Sequence, residues 1–129
     1  MTEKKPRILI VVRPGPLREG VEALLTSVPQ IEIVDKLECT SRAVQIAKEQ
    51  TINILLLEAG LPMNGASRLV AFCRRERPGV RCLVLADTMD QAREARAFGA
   101  DAVFLKGFPA DRFVMTVERL LSDYVKGCC

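Results

Sequence analysis

Apolar residues fall along this chain in two alternating rhythms. Ile8 to Val12 (I-L-I-V-V) is an unbroken apolar run, the pattern of a strand covered on both faces. Leu17, Val21, Leu24, Leu25 and Val28 then recur at helical spacing and mark one helix face, with Pro16 suited to its first turn. Ile31 to Val34 (I-E-I-V) alternates like a strand nearer a sheet edge, and Thr40 or Ser41 can cap a helix whose inner face is Ala43, Val44 and Ala47. Ile52 to Leu57 predicts a second buried strand, ending at Glu58. A-G-L-P-M-N-G reads as a loop, followed by a helix with Leu69, Val70, Phe72 and Cys73 inward that stops at R-R-E-R-P-G. Val80 to Leu85 is the next strand, Met89 to Phe98 a short helix closed by Gly99, and Ala102 to Leu105 the last strand. Phe113, Val117, Leu120, Leu121 and Tyr124 give the final helix. Strands and helices alternate strictly, so right-handed crossovers predict a doubly wound α/β domain: a parallel sheet with helices on both faces.

The length of 129 residues fits one domain with its own core. Its expected limits are residues 7–124, with tails at 1–6 and 125–129. The formal charge of +3 is too mild to indicate nucleic-acid binding. No apolar run reaches the roughly 18 residues of a membrane span, and no signal peptide is evident. Histidine is absent, which removes His-based triads, metal sites and pH switches. The five cysteines form no C-x-x-C pair and are odd in number, as in a reduced cytoplasmic protein. Cys82 reads as a small buried hydrophobe, and the terminal Cys128-Cys129 as a frayed tail rather than a lipid-anchor signal.

In such folds the functional crevice lies at the carboxyl ends of the strands. The residues there are Val12 and Arg13, Glu58, Ala86 and Asp87, and Lys106, with Glu58 and Lys106 expected to align as an acid–base pair.

R-I-L-I-V, L-R-E-G-V-E-A-L-L, I-L-L-L-E-A-G-L-P-M-N-G, L-V-L-A-D and G-A-D-A-V-F-L-K-G-F follow one another in an order and spacing that resembles the receiver domain of bacterial response regulators. The resemblance spans about residues 7 to 122 and is strongest to receivers that precede a helix-turn-helix output domain. It implies a CheY-like, flavodoxin-like sheet of order 2-1-3-4-5. It also implies a site with two acidic residues after the first strand and an Asp after the third, which hold Mg²⁺ and accept a phosphoryl group from a histidine kinase. A hydroxyl residue after the fourth strand, an aromatic switch residue on the fifth and a Lys beyond it complete that site.

Position by position, this chain departs from the pattern. The acidic pair falls on Val12 and Arg13, neither of which offers the oxygen that a hard cation needs. The phosphoacceptor position is Glu58, the hydroxyl position Ala86 and the switch position Val103; only Lys106 is kept. The Pro62–Gly65 loop is one residue shorter than usual, and Gly107 replaces a frequent proline. Arg13 and Lys106 set two cations against Glu58, a balance that only Asp87 can offset. Mg²⁺ binding is therefore expected to be lost, with Arg13, Lys106 or both pairing with Glu58 in place of metal and phosphate.

The resulting expectation is a non-enzymatic pseudo-receiver that signals without phosphorylation through protein contact or homodimerisation, as the regulatory part of a transcription regulator. It binds neither nucleic acid nor membrane itself. Two alternatives stand beside it: a metal-independent phosphoacceptor using Glu58 or another site, and an anion or metabolite sensor using Arg13 and Lys106. The candidate interaction face is Gln91, Arg93, Glu94 and Arg96 on the fourth helix with Arg112, Glu118 and Arg119 on the fifth. Arg74, Arg75, Arg77 and Arg81 form a basic cluster that reads first as a solvated, dipole-favoured helix end.

Overall fold

The computed structural model describes residues 5–127, with side chains up to Ser122; Cys128, Cys129 and the side chain of Tyr124 lie outside the described residues. The strands are β1 (Arg7–Val11), β2 (Glu32–Leu37), β3 (Ile54–Glu58), β4 (Arg81–Ala86) and β5 (Ala102–Leu105). The helices are α1 (Pro16–Thr26), α2 (Thr40–Glu49), α3 (Gly65–Glu76), α4 (Met89–Ala97) and α5 (Ala110–Gly127). All strand pairs are parallel. The sheet runs β2-β1-β3-β4-β5, the doubly wound order expected from the sequence.

The period-two alternation of strand side chains splits the core into two layers. Leu9, Val11, Leu55, Leu57, Cys82 and Val84 face one layer with Ala43, Ile46, Leu69 and Phe72 of α2 and α3. Ile8, Ile10, Ile54, Leu56, Leu83 and Leu85 face the other with Val21, Leu25, Phe113 and Val117 of α1 and α5. Continuous apolar strands are required because both faces are covered.

The structure moves several boundaries. β2 runs on to Leu37 rather than stopping at Val34. Its D-K-L end looks like a loop in the sequence, but an edge strand tolerates charge. The ladder also slips, Ile8 pairing with Ile33 and Leu9 with Asp35, so Val34 is skipped. β3 begins at Ile54, not Ile52, while Asn53 ties the strand starts together by accepting from Arg7 N at 2.7 Å. The N-cap of α2 is Cys39; Thr40 and Ser41 lie inside the helix, and neither caps it. The inner face of α2 is Ala43, Ile46 and Ala47, with Val44 only half-buried. Pro62–Asn64 forms a single 3₁₀ turn inside the predicted loop. α5 continues to Gly127, past the boundary expected at residue 124.

Candidate functional site

β1 and β3 are neighbours and end at the same level, which brings Arg13 to Glu58. Glu58 is the last residue of β3 and is buried; Arg13 follows β1 and its side chain is half-exposed. One carboxylate oxygen of Glu58 accepts twice from the same residue, from Arg13 N at 2.8 Å and from Arg13 Nε at 2.7 Å. Arg13 Nη2 lies 3.5 Å from the second oxygen. The guanidinium fork thus spans the whole carboxylate, and the backbone amide fixes the fork's root. Glu58 holds the Arg13 guanidinium above its ordinary pKa, first through this hydrogen bond and then through charge, with smaller support from Asp87 and Glu38.

Around this pair, Val12 and Ala86 offer no side-chain oxygen, and Asp87 is exposed just beyond β4. Val12 is buried in the α1/α5 layer, and its carbonyl accepts from Arg18 Nε at 2.8 Å. Ala86 is buried at the end of β4. The nearest hydroxyl in sequence, Thr88, caps α4 instead, accepting from Gln91 N at 3.1 Å. Among the described residues no group of three or more Asp, Glu, Cys or His side chains could hold a metal ion.

Lys106 is exposed, and its backbone N donates to Ala86 O at 2.8 Å. Among the described residues it has no carboxylate within 4 Å, so the expected Glu58–Lys106 alignment is not formed and Arg13 alone takes Glu58. Val103 is half-buried against the α2/α3 layer. The aromatic mass lies on the opposite face, where Phe104 meets Phe108 at 5.2 Å and Phe113 at 5.7 Å between ring centroids.

Three site contributors carry no sequence signal of their own. Arg18 reads as a solvated helix residue, yet it consumes the Val12 carbonyl. Gly60 lies under the guanidinium: a Cβ there would stand 3.3 Å from Arg13 Nη2 and 3.9 Å from Gln91 Nε2. Gln91 was expected on a free helix face, but its side chain turns back and accepts from Asp87 N at 2.7 Å. The first turn of α4 and the end of β1 therefore converge over Gly60.

The other surface residues expected for contact, Arg93, Glu94, Arg96, Arg112, Glu118 and Arg119, are exposed. Arg112 and Arg119 flank a groove of about 660 Å³ along β5 with Met115 between them. Most of the basic cluster after α3 is internal bracing. Arg74 pairs with Asp101 and donates to Val80 O, Arg81 reaches Asp101 at 3.6 Å, and Arg77 donates to Ala47 O and Lys48 O at the end of α2.

No family model matches the chain. The transcriptional regulatory protein DegU of Brevibacillus brevis is 27% identical over 121 residues, covering 92% of this chain and 51% of DegU. The chain thus spans about half the length of this curated relative. Among solved structures, the signal receiver domain of an HD domain-containing protein from Pseudomonas fluorescens Pf-5 superposes with a TM-score of 0.86 at 15% identity, covering 98% of this chain and 94% of that one. A LuxR-family two-component response regulator from Aurantimonas sp. SI85-9A1 gives 0.80 at 23% identity over 92% of this chain and 86% of that one. The response regulator TrrA from Thermotoga maritima, solved with Mg²⁺ and BeF, gives 0.76 at 21% identity over 89% of this chain and 98% of that one. The fold is that of the CheY-like response-regulator receiver domains, as the sequence motifs imply. No helix of the described residues is long and apolar enough to cross a membrane.

Proposed function

We propose that this chain is a pseudo-receiver: a non-enzymatic, cytoplasmic signalling domain that works by protein contact, without Mg²⁺ and without a phosphoryl group. The observation that carries this reading is the Arg13–Glu58 pair, at 2.7 Å with its backbone partner at 2.8 Å. A receiver that takes phosphate needs carboxylates to hold a hard cation. Here a guanidinium stands at one of those positions and an apolar side chain at the other. The buried carboxylate, Glu58, has both oxygens facing Arg13. A divalent cation entering this site would have to displace a paired arginine and would gain one carboxylate.

The 27% identity to DegU, and the half of its length that this chain spans, support a regulatory half of a transcription regulator. The exposed charges of α4 and α5 suit contact with a protein partner or with a second copy.

The test is an amide NMR titration, first with Mg²⁺ and then with beryllofluoride as a phosphoryl mimic. The expected result is unchanged resonances at Arg13, Glu58, Ala86 and Lys106. Saturable shifts there that spread to α4 and α5 overturn the proposal in favour of a working metal-dependent switch. Mass gain from a phosphodonor without Mg²⁺ overturns it in favour of a metal-free phosphoacceptor.

A further inference from the structure

Away from the crevice, α2 and α3 lie side by side and leave an open groove of about 890 Å³ between them. Its apolar lining is Val44, Phe72, Pro62 and Met63. Met63 is 82% exposed, the most exposed of the large hydrophobic side chains of the described residues. It is also held there at a conformational cost. Met63 and Asn64 both have φ of +57°, and left-handed backbone costs a residue with a side chain roughly 1–2 kcal/mol. A strained turn that presents an apolar, adaptable side chain to water at the mouth of a groove is a feature of a contact site rather than of a core.

The charge around the groove has one dominant sign among its unspent groups. Arg74 and Arg77 of the same helix end are committed to Asp101 and to backbone carbonyls. Arg68 has no carboxylate within 4 Å among the described residues, and Arg75 has only its exposed neighbour Glu76 at 3.7 Å. Lys48 stands over the Phe72 ring at 5.9 Å, with its ammonium outside. Lys48, Arg68 and Arg75 thus edge the apolar lining against two carboxylates, Glu76 beside Arg75 and Glu38 next to Cys39 and Thr40, which leaves a surplus of one cation.

The two helices are ten and twelve residues long, so the groove between them measures about 15–18 Å at about 1.5 Å per residue. That length matches about three turns of a third helix laid into it. We propose that the α2/α3 groove docks an amphipathic helix of a partner protein, with apolar side chains on Phe72, Val44 and Met63 and carboxylates facing Arg68, Arg75 and Lys48. This rests on the reading of the chain as an interaction domain and not on the chemistry of the Arg13–Glu58 pocket.

The probe is a stapled helical peptide of about 14 residues with Leu at i, i+3, i+4 and i+7 and Glu on its flanks, titrated by amide NMR. A second peptide carries Lys in place of every Glu. The expected result is saturable shifts confined to α2, α3 and the Pro62–Asn64 turn, with the Glu peptide binding about tenfold more tightly than the Lys peptide. The double variant R68E/R75E, at exposed positions, should reverse that preference. Cys39 supplies an independent readout. It is exposed while Cys73 and Cys82 are buried, and the Ser41 hydroxyl and nearby amides lower its pKa, so it should alkylate first of these three. Bound Glu peptide should slow its alkylation by iodoacetamide. Equal affinity for the two peptides, or shifts outside the groove, overturns the proposal. So does self-association in ultracentrifugation that R68E/R75E abolishes, since the occupant would then be a second copy. Shifts at Arg13 and Glu58 in the Mg²⁺ titration, made without peptide, would instead fault the reading of the pocket, which keeps the two failures distinguishable.

Discussion

Arg13 does two jobs with one partner, since a single Glu58 oxygen holds its amide and its Nε. Glu58 moves the guanidinium pKa up from an ordinary value that already lies far above physiological pH. A raised folded-state value stabilises below the unfolded one and is lost only above it. Titration of Arg13 therefore contributes no pH dependence between pH 7 and 9, and urea midpoints of wild type and R13Q should keep a constant separation across that range. Carboxylates at positions 12, 13 and 58 should make the site a ligand for a hard cation. The triple variant V12D/R13D/E58D replaces one cation and one apolar residue with acids beside Lys106. It is expected to bind Mg²⁺ in the millimolar range or tighter, read by amide shifts or calorimetry, with no such shifts expected in wild type. Failure of the triple variant to bind would mean that more than these side chains has diverged.

The legible and illegible parts of this site differ for a physical reason. Val12, Arg13, Glu58 and Ala86 could be placed from the sequence because strand ends are marked by where apolar runs stop. The pairing of Arg13 rather than Lys106 with Glu58 could not, because the strand order places both cations near the carboxylate and only side-chain direction decides: the Arg13 amide and Nε both turn to Glu58, while Lys106 is exposed. Arg18, Gly60 and Gln91 were invisible because their roles are set by a carbonyl, an absent Cβ and a neighbouring amide.

At the scale of elements, the helices meet through a few close approaches. The best defined is at the N-termini of α2 and α3, where a Cβ on Gly65 would stand 2.3 Å from Thr40 Oγ1 and 3.1 Å from Leu61 Cβ. Gly65→Ala should destabilise by about 1–3 kcal/mol, since something must move. Thr40→Ala removes the nearest clashing atom, so the double variant should recover part of that loss in a denaturation cycle. A simple sum of the two single effects would show that the approach is not the cause. Asp101 is the comparable joint at the other end, joining Arg74, Arg81 and the amide of Cys82, which donates to it at 2.7 Å. Asp101→Asn should cost about 2 kcal/mol, because hydrogen bonds to a partly buried charge are lost or weakened. The sequence pattern located every one of these elements and both ends of β5, but misplaced most other ends, above all in β2, where edge charges hide a strand. The Cys39 cap of α2 was missed for a related reason: cysteine is not among the residues that usually mark a helix start.

At the scale of the whole molecule, the two core layers share a single sheet, and no part of the core is independent of it. Phe113 belongs to one layer and Leu69 to the other, both fully buried. Phe113→Ala should cost about 3–5 kcal/mol and Leu69→Ala about 2–5 kcal/mol. Both should lower the midpoint of one and the same urea transition, followed by far-UV and near-UV dichroism together. Separate transitions in either variant would mean that the layers unfold as distinct units.

The Arg13–Glu58 contact is intramolecular, and that gives it a temporal character of its own. A transferred phosphoryl group is a timer, since it arrives, persists and is hydrolysed. An arginine on the same chain has no donor to wait for and no lifetime to expire, and its local concentration never changes. If the domain signals by protein contact without a phosphoryl group, as proposed, the protein carries no memory of a stimulus in its chemistry. The strength of its signal is then set by the number of copies present, so synthesis and degradation of the chain become the dial.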